Sequence, residues 1–345
     1  MKKRRREDII HRVTERSGIS MLFAALFCIY IQHVSPQAHC EQWPEEVIRI
    51  HYNSSIDHSR QPALFFAPQT DIAVPLLVAL HTWSGDYMQP ESIPYAEWCI
   101  KHQWAFIHPD FRGPNTHPIA TGSEYAIQDI IDAVKYASSI CEIDKQRIYL
   151  IGVSGGGHMA LLMAAKVPDL WAGVSAWVPV VDLKVWYFES LERKPKYAAD
   201  IENSVGGVPG SSALIDSSCA QRSPLTFLNH RLGVKLDINA GIHDGHEGSV
   251  PVSHAMRAFN AVALPGHRFS DREIDAIVRQ ESIPSHLYDP ELNDSEYGDK
   301  KVLLRRHSNH SRITLFEGGH EIVFKAGLRW LAKQGQKGEE SEENE

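Results

Sequence analysis

The sequence predicts an α/β protein, a mostly parallel sheet with helices on both faces. Three observations predict it. Short runs rich in Val, Ile and Leu recur along roughly 250 residues, separated by segments of helical periodicity. The runs are continuously apolar instead of alternating, as in strands buried on both faces. Turn residues stand between the two kinds of segment.

Taken in order, Val47–Tyr52 and Ala63–Ala67 are short and β-rich and predict an antiparallel hairpin that opens the sheet. Pro75–His81 and Ala105–His108 follow as buried strands. Gly122–Ser139 places Ile127, Ile130, Ile131 and Val134 on one helical face, with Ser123 as its cap. Arg147–Gly152 is a strand and Gly156–Lys166 the helix after it. Val174–Val178, Lys235–Ala240 and Arg312–Phe316 are further strands, and Val252–Val262 and His320–Lys333 are further helices. Right-handed crossovers would bring the strand C-terminal ends to one edge, where open α/β sheets hold their sites. Two long segments break the rhythm, 184–229 and 265–301, and read as insertions over or beside that edge.

The two ends differ from this body. Residues 2–6 are all Lys or Arg, and an uncharged apolar run, Ile19–Ile31, comes after them. The run is short for a membrane span, which needs about 20 residues, and suits a secretory signal. Residues 1–40 therefore read as a signal peptide, with an uncleaved membrane anchor as the alternative and export as the destination. Residues 41–337 read as a single catalytic domain. Residues 338–345 carry five Glu and read as an acidic disordered tail.

The net charge is −8, which argues against nucleic-acid partners, since these need a basic face. The five Cys do not make a disulfide scaffold. Export would permit a bridge, and Cys99 and Cys141 stand near predicted helix ends, so a disulfide and buried free thiols both remain open.

The chemistry is concentrated on one turn. Gly152-Val-Ser154-Gly-Gly-Gly157-His158 joins a predicted strand to a predicted helix. Its core, Gly-x-Ser-x-Gly, fits a tight strand-to-helix turn that exposes Ser154 and aims free helix N–H groups at the reacting atoms. No Lys follows the glycines at the spacing a phosphate loop needs, so a phosphate loop is disfavoured. A serine nucleophile needs a base, and the base needs an orienting acid. Phe316-Glu-Gly-Gly-His320 ends the last strand and makes His320 the base. The acid lies in Gly241-Ile-His243-Asp244-Gly-His246-Glu247, where Asp244 is preferred, close to the strand end, and Glu247 is the alternative. Oxyanion donors would be the N–H groups of Gly155 and of Trp83, with Thr82 as the neighbour that could replace Trp83.

Four stretches in this order resemble the prolyl oligopeptidase branch of the α/β-hydrolases: Phe111-Arg112-Gly113, Arg147 through His158, Arg222-Ser223-Pro224-Leu225, and the Gly-Gly-His320 terminus. The resemblance covers roughly residues 62–333. It implies an α/β-hydrolase fold with an eight-stranded sheet, a Ser154–Asp244–His320 triad and no cofactor. The chain departs from that family in three ways. It is too short for the family's β-propeller. The family's acid usually stands three residues before Val-Pro, which here is Glu247. His81-Thr82 replaces the usual His-Gly.

The expected activity is hydrolysis of a carboxylic ester through an acyl-enzyme, on a small-molecule ester or an acylated carbohydrate. Trp83, Trp104, Trp177 and Trp186 are candidates for a sugar platform. The rival expectation is a peptidase on short peptides, for which Glu189 and Glu192 in the first insertion are the carboxylates available to an amine. An inactive hydrolase fold kept for binding is the third. No metal is expected: His81, His158, His243 and His246 fall near the active edge without ligand spacing. Arg112 reads as a structural anchor.

Overall fold

The computed structural model describes residues 42–335. The expectations for residues 1–40 and 338–345 lie outside the described residues. Among the described residues no helix is long and apolar enough to cross a membrane.

Strands β1 (Ile48–Asn53) and β2 (Arg60–Phe66) form the predicted antiparallel hairpin. Then come β3 (Val74–Leu80), α1 (Ile93–His102), β4 (Ala105–Pro109) and α2 (Glu124–Ile140). Ser123 caps α2, its hydroxyl accepting the Ala126 N–H at 3.1 Å. Strand β5 (Ile143–Val153) leads into α3 (Gly155–Lys166), and β6 (Gly173–Trp177) follows. The first insertion folds as α4 (Leu183–Ser190), α5 (Pro195–Val205) and α6 (Ala213–Arg222). After β7 (Leu236–Gly241) and α7 (Ser253–Val262), the second insertion forms α8 (Asp271–Gln280). A reciprocal cap between Ser270 and Glu273 starts α8. Strands β8 (Val302–Ser308) and β9 (Ser311–Phe316) and helix α9 (Phe324–Ala332) complete the unit.

The sheet order is β1-β2-β4-β3-β5-β6-β7-β9-β8, parallel from β4 to β9 and antiparallel at both margins. The sheet has nine strands, not eight. The additional one, β8, pairs only with β9 and lies at the edge. An edge strand needs only part of its surface apolar. Its Arg305, Arg306 and His307 therefore made it read as a continuation of the polar insertion.

The central strands explain the continuous apolar runs. In β3, Leu76, Val78 and Leu80 face one core, with α2, α3 and α7, while Leu77 and Ala79 face the other, with α1 and α9. A third cluster joins Trp83 to Trp186, Leu183 and Ile201 of the first insertion. That insertion is thus packed onto the loop after β3. Cys99, Cys141 and Cys219 are free thiols, so no bridge joins Cys99 to Cys141.

Candidate active site

The strand order reverses direction between β3 and β5, and the loops leaving such a reversal diverge to leave a crevice. Leu80 at the end of β3 is in register with Gly152 near the end of β5. Gly241 at the end of β7 is in register with Phe316 at the end of β9. Four loops that carry the sequence-predicted residues are thereby gathered in two neighbouring pairs.

Ser154 sits between β5 and α3 with φ +57° and ψ −115°, a conformation unfavourable for a residue bearing a Cβ. Its backbone N–H donates to the Trp177 carbonyl at 2.9 Å, which holds the turn to β6. The flanking positions have no room for a side chain. A Cβ on Gly152 would lie 2.3 Å from the Gly156 carbonyl, and one on Gly155 would lie 2.4 Å from the Trp83 nitrogen. The last contact also places the Trp83 backbone nitrogen beside Gly155, the first residue of α3. The N–H groups of a first helical turn have no partner within the helix. Thr82, the alternative donor, already gives its N–H to Gln89 Oε1 at 2.9 Å. The Trp83 N–H makes no hydrogen bond among the described residues.

The acid and histidine loops are joined by backbone bonds beyond the sheet, Ile242 N–H to Phe316 O at 2.9 Å and His243 N–H to Gly318 O at 3.0 Å. His320 lies in this loop. Helix α9 starts at Phe324, so His320 does not open it as the sequence predicted; it stands in an irregular segment tied to the loop after β7. His320 Nδ1 is 2.7 Å from Asp244 Oδ2, and Asp244 is buried, its Oδ1 accepting the Val250 N–H at 3.1 Å. A carboxylate accepts only, so Nδ1 carries the proton and Nε2 keeps its lone pair. Glu247 is exposed and makes no side-chain hydrogen bond or ion pair among the described residues. Ser154 and His320 line one cavity of about 400 Å³ without a direct hydrogen bond between them. Such links are often long in unliganded enzymes.

The cavity floor is apolar, from Leu80, Tyr95, Val153, Ile322 and Phe324. Its wall carries Thr82, Ser84, Gln89 and Ser92, and Tyr197 reaches in from α5. Sequence reasoning missed Tyr197 and Glu91. Glu321, also at the wall, is paired with Lys300 at 2.8 Å.

The structure bears on several other expectations, correcting those for the tryptophans and the insertion carboxylates. Trp83, Trp177 and Trp186 are buried and Trp104 stacks on Tyr149, so the four do not form a sugar platform. Glu189 is held at 2.8 Å by the buried His254, and neither it nor Glu192 lines the cavity. His81 and His158 are buried, and burial pushes both imidazoles down, His158 to about 4. His243 lies between Glu317 and Glu281, at 2.6 and 2.7 Å, which raise its pKa. Among the described residues no group of three or more His, Cys, Asp or Glu is arranged to hold a metal. Arg112 is an anchor, its guanidinium bound to Asp57 and to the buried Asp129.

Residues 121–267 match the prolyl oligopeptidase family, and residues 63–171 match the family described as BD-FAE. Each match spans less than half of the chain, and the fold is that of the α/β-hydrolases. Its hydrolase fold is similar to that of Pyrococcus horikoshii acylaminoacyl peptidase, with TM-score 0.59 and 13% identity, covering 86% of this chain and 43% of that one. A puromycin hydrolase is similar at TM-score 0.55 and 16% identity, covering 84% of this chain and 38% of that one. An acylaminoacyl peptidase in complex with Z-Gly-Gly-Phe-chloromethyl ketone is similar at TM-score 0.52 and 15% identity, over 63% and 35%. The chain thus spans less than half the length of these solved structures. A comparison with curated proteins found no match.

Proposed function

We propose that this protein is a serine hydrolase that transfers an acyl group through Ser154, with carboxylic esters as its substrates. Ser154 Oγ attacks the substrate carbonyl. His320 Nε2 takes the hydroxyl proton and returns it to the leaving oxygen. Asp244 holds the imidazole in the required tautomer and stabilises the imidazolium that forms. The N–H groups of Gly155 and Trp83 receive the oxyanion, and a single such donor is worth about 10²–10³ in rate. Water then repeats the sequence on the acyl-enzyme and releases the acid.

The observation that carries this reading is the 2.7 Å contact of His320 with the buried Asp244, on loops that open into the same cavity as the strained Ser154. Esters are favoured over peptides with a free amine because no carboxylate of the first insertion lines the cavity. Glu189 is bound to His254 and Asp200 to Lys196. The peptidase reading keeps one support, the match to the prolyl oligopeptidase family.

The test is hydrolysis of p-nitrophenyl acetate against alanyl- and prolyl-p-nitroanilide, with Ser154→Ala as the control. Ester turnover with silent anilides is expected, and Ser154→Ala is expected to lose both turnover and fluorophosphonate labelling while keeping its fold. Anilide cleavage at comparable efficiency would move the protein to the peptidases. Labelling that persists in Ser154→Ala would remove the nucleophile.

A further inference from the structure

Helix α5 of the first insertion lies against the loop that follows β3. Two of its side chains, one turn apart, hold that loop. Asp200, 7% exposed, accepts the indole N–H of Trp83 at 3.2 Å through Oδ2. Lys196 donates to the same oxygen at 2.9 Å and to Ser84 Oγ, also at 2.9 Å. The bonds to Trp83 and Ser84 therefore come from one face of one helix.

Further bonds hold the loop. The Trp83 carbonyl accepts the Asn115 N–H at 2.8 Å, and the Thr82 N–H is taken by Gln89. The Trp83 backbone N–H makes no hydrogen bond among the described residues, and its nitrogen stands beside Gly155. A backbone N–H points where its own residue's dihedrals send it. The dihedrals of Trp83 are constrained by its large side chain, whose ring is fixed on three sides. It meets Trp186 edge-on at 4.8 Å and His158 at 6.2 Å, and Asp200 takes its only polar atom.

We propose that Asp200 is a positioning residue of the oxyanion hole, with Lys196 fixing its carboxylate, so that the insertion sets the direction of the Trp83 N–H. This inference rests on the hydrolase reading and extends it. Tyr197, between the two anchoring residues, lines the cavity, so the helix that meets substrate also aims the donor. Without Asp200 the indole N–H has no acceptor in a buried place, and the ring and its backbone can turn. A displacement of this kind costs reaction rate because the oxyanion exists only during reaction, while substrate binding is little changed.

The experiment uses the full chain, with p-nitrophenyl acetate as substrate and phenylboronic acid as a tetrahedral oxyanion mimic. Active sites are counted by fluorophosphonate labelling. Asp200→Ala is expected to lower kcat by about 10- to 100-fold, to change KM by less than about threefold, and to raise the boronate Ki in step with the loss of kcat/KM. Asp200→Asn keeps an oxygen that can accept the indole N–H and is expected to recover most of the rate. Trp83→Phe removes the donor and should match the loss in Asp200→Ala, the double variant being no worse than either single one. If Asp200→Ala does not fold, Trp83→Phe and Asp200→Asn carry the test. A lowered Tm with unchanged kcat and Ki would make Asp200 merely structural and overturn the proposal, as would losses that multiply in the double variant. Wild-type protein that neither labels nor hydrolyses the ester would overturn the hydrolase reading and this inference with it. Full wild-type activity retained in Asp200→Ala would overturn this inference alone.

Discussion

Replacing Asp244 by Asn changes one atom and tests the acid directly. The carboxylate has two oxygens with fixed duties, Oδ1 accepting the Val250 N–H at 3.1 Å and Oδ2 facing His320 Nδ1 at 2.7 Å. An amide can replace only one of them. If its oxygen stays with His320, its NH₂ meets the Val250 N–H, and two donors face each other in a buried site, at a cost of about 1–3 kcal/mol. The amide therefore turns its oxygen to Val250 and its NH₂ to His320. Nδ1 must then accept, the proton moves to Nε2, and the imidazole can no longer take the Ser154 proton. Space does not relieve this, because a Cβ on the neighbouring Gly248 would already lie 2.1 Å from Asp244 Oδ1. The expected loss is on the order of 10⁴ in kcat, or about 5 kcal/mol of transition-state stabilisation, the size of other wrong-tautomer variants. Glu247→Gln should stay within about twofold of wild type, as expected of an exposed side chain without a partner. The assay is steady-state hydrolysis of p-nitrophenyl acetate, with urea unfolding to show that both variants fold. If Glu247→Gln loses more than Asp244→Asn, or Asp244→Asn keeps more than a tenth of the rate, the reasoning fails.

Three further outcomes are expected. Arg112→Ala leaves Asp129, which is 0% exposed, without its cation, and should cost about 3–5 kcal/mol in urea unfolding; a loss below about 1 kcal/mol would contradict the anchor. The raised pKa of His243, due to Glu317 and then Glu281, means that its pairing contributes stability in full below the ordinary imidazole range and loses it as pH rises through the higher folded value. His243→Gln should remove that alkaline decline from the stability–pH curve, and a curve of unchanged shape would show that the pairing contributes nothing. Gly155→Ala drives a Cβ to 2.4 Å from the Trp83 nitrogen and should lower kcat by about 10²-fold or more, so a variant of near-normal kcat would place the oxyanion donors elsewhere.

These positions differ in their legibility in the sequence for physical reasons. Ser154, His320 and Asp244 each stand just after a strand end, and parallel strands in register carry such positions to one edge whatever the helices between them do. The central strands were legible because burial on both faces leaves no polar position, as in Val74–Leu80. Strand β8 was not legible, because Arg305, Arg306 and His307 are tolerated where a strand has one neighbour and solvent nearby. The choice between Asp244 and Glu247 was beyond spacing, since both fall on the same loop. It turns on the Val250 N–H, a bond across that loop, which draws Asp244 inward and leaves Glu247 in solvent.

Asp200 marks the limit of such reading. In sequence it is a carboxylate four residues after a Lys on a helix, which reads as any solvated pair. Its contact with Trp83 spans 117 residues and is created by packing an insertion against the core. No periodicity encodes it, because the helix face that carries it is defined by what it packs against and not by its own pattern. Candidates for the chemistry can be read from strand ends, whereas a candidate for aiming that chemistry from an insertion becomes visible only once the insertion has docked.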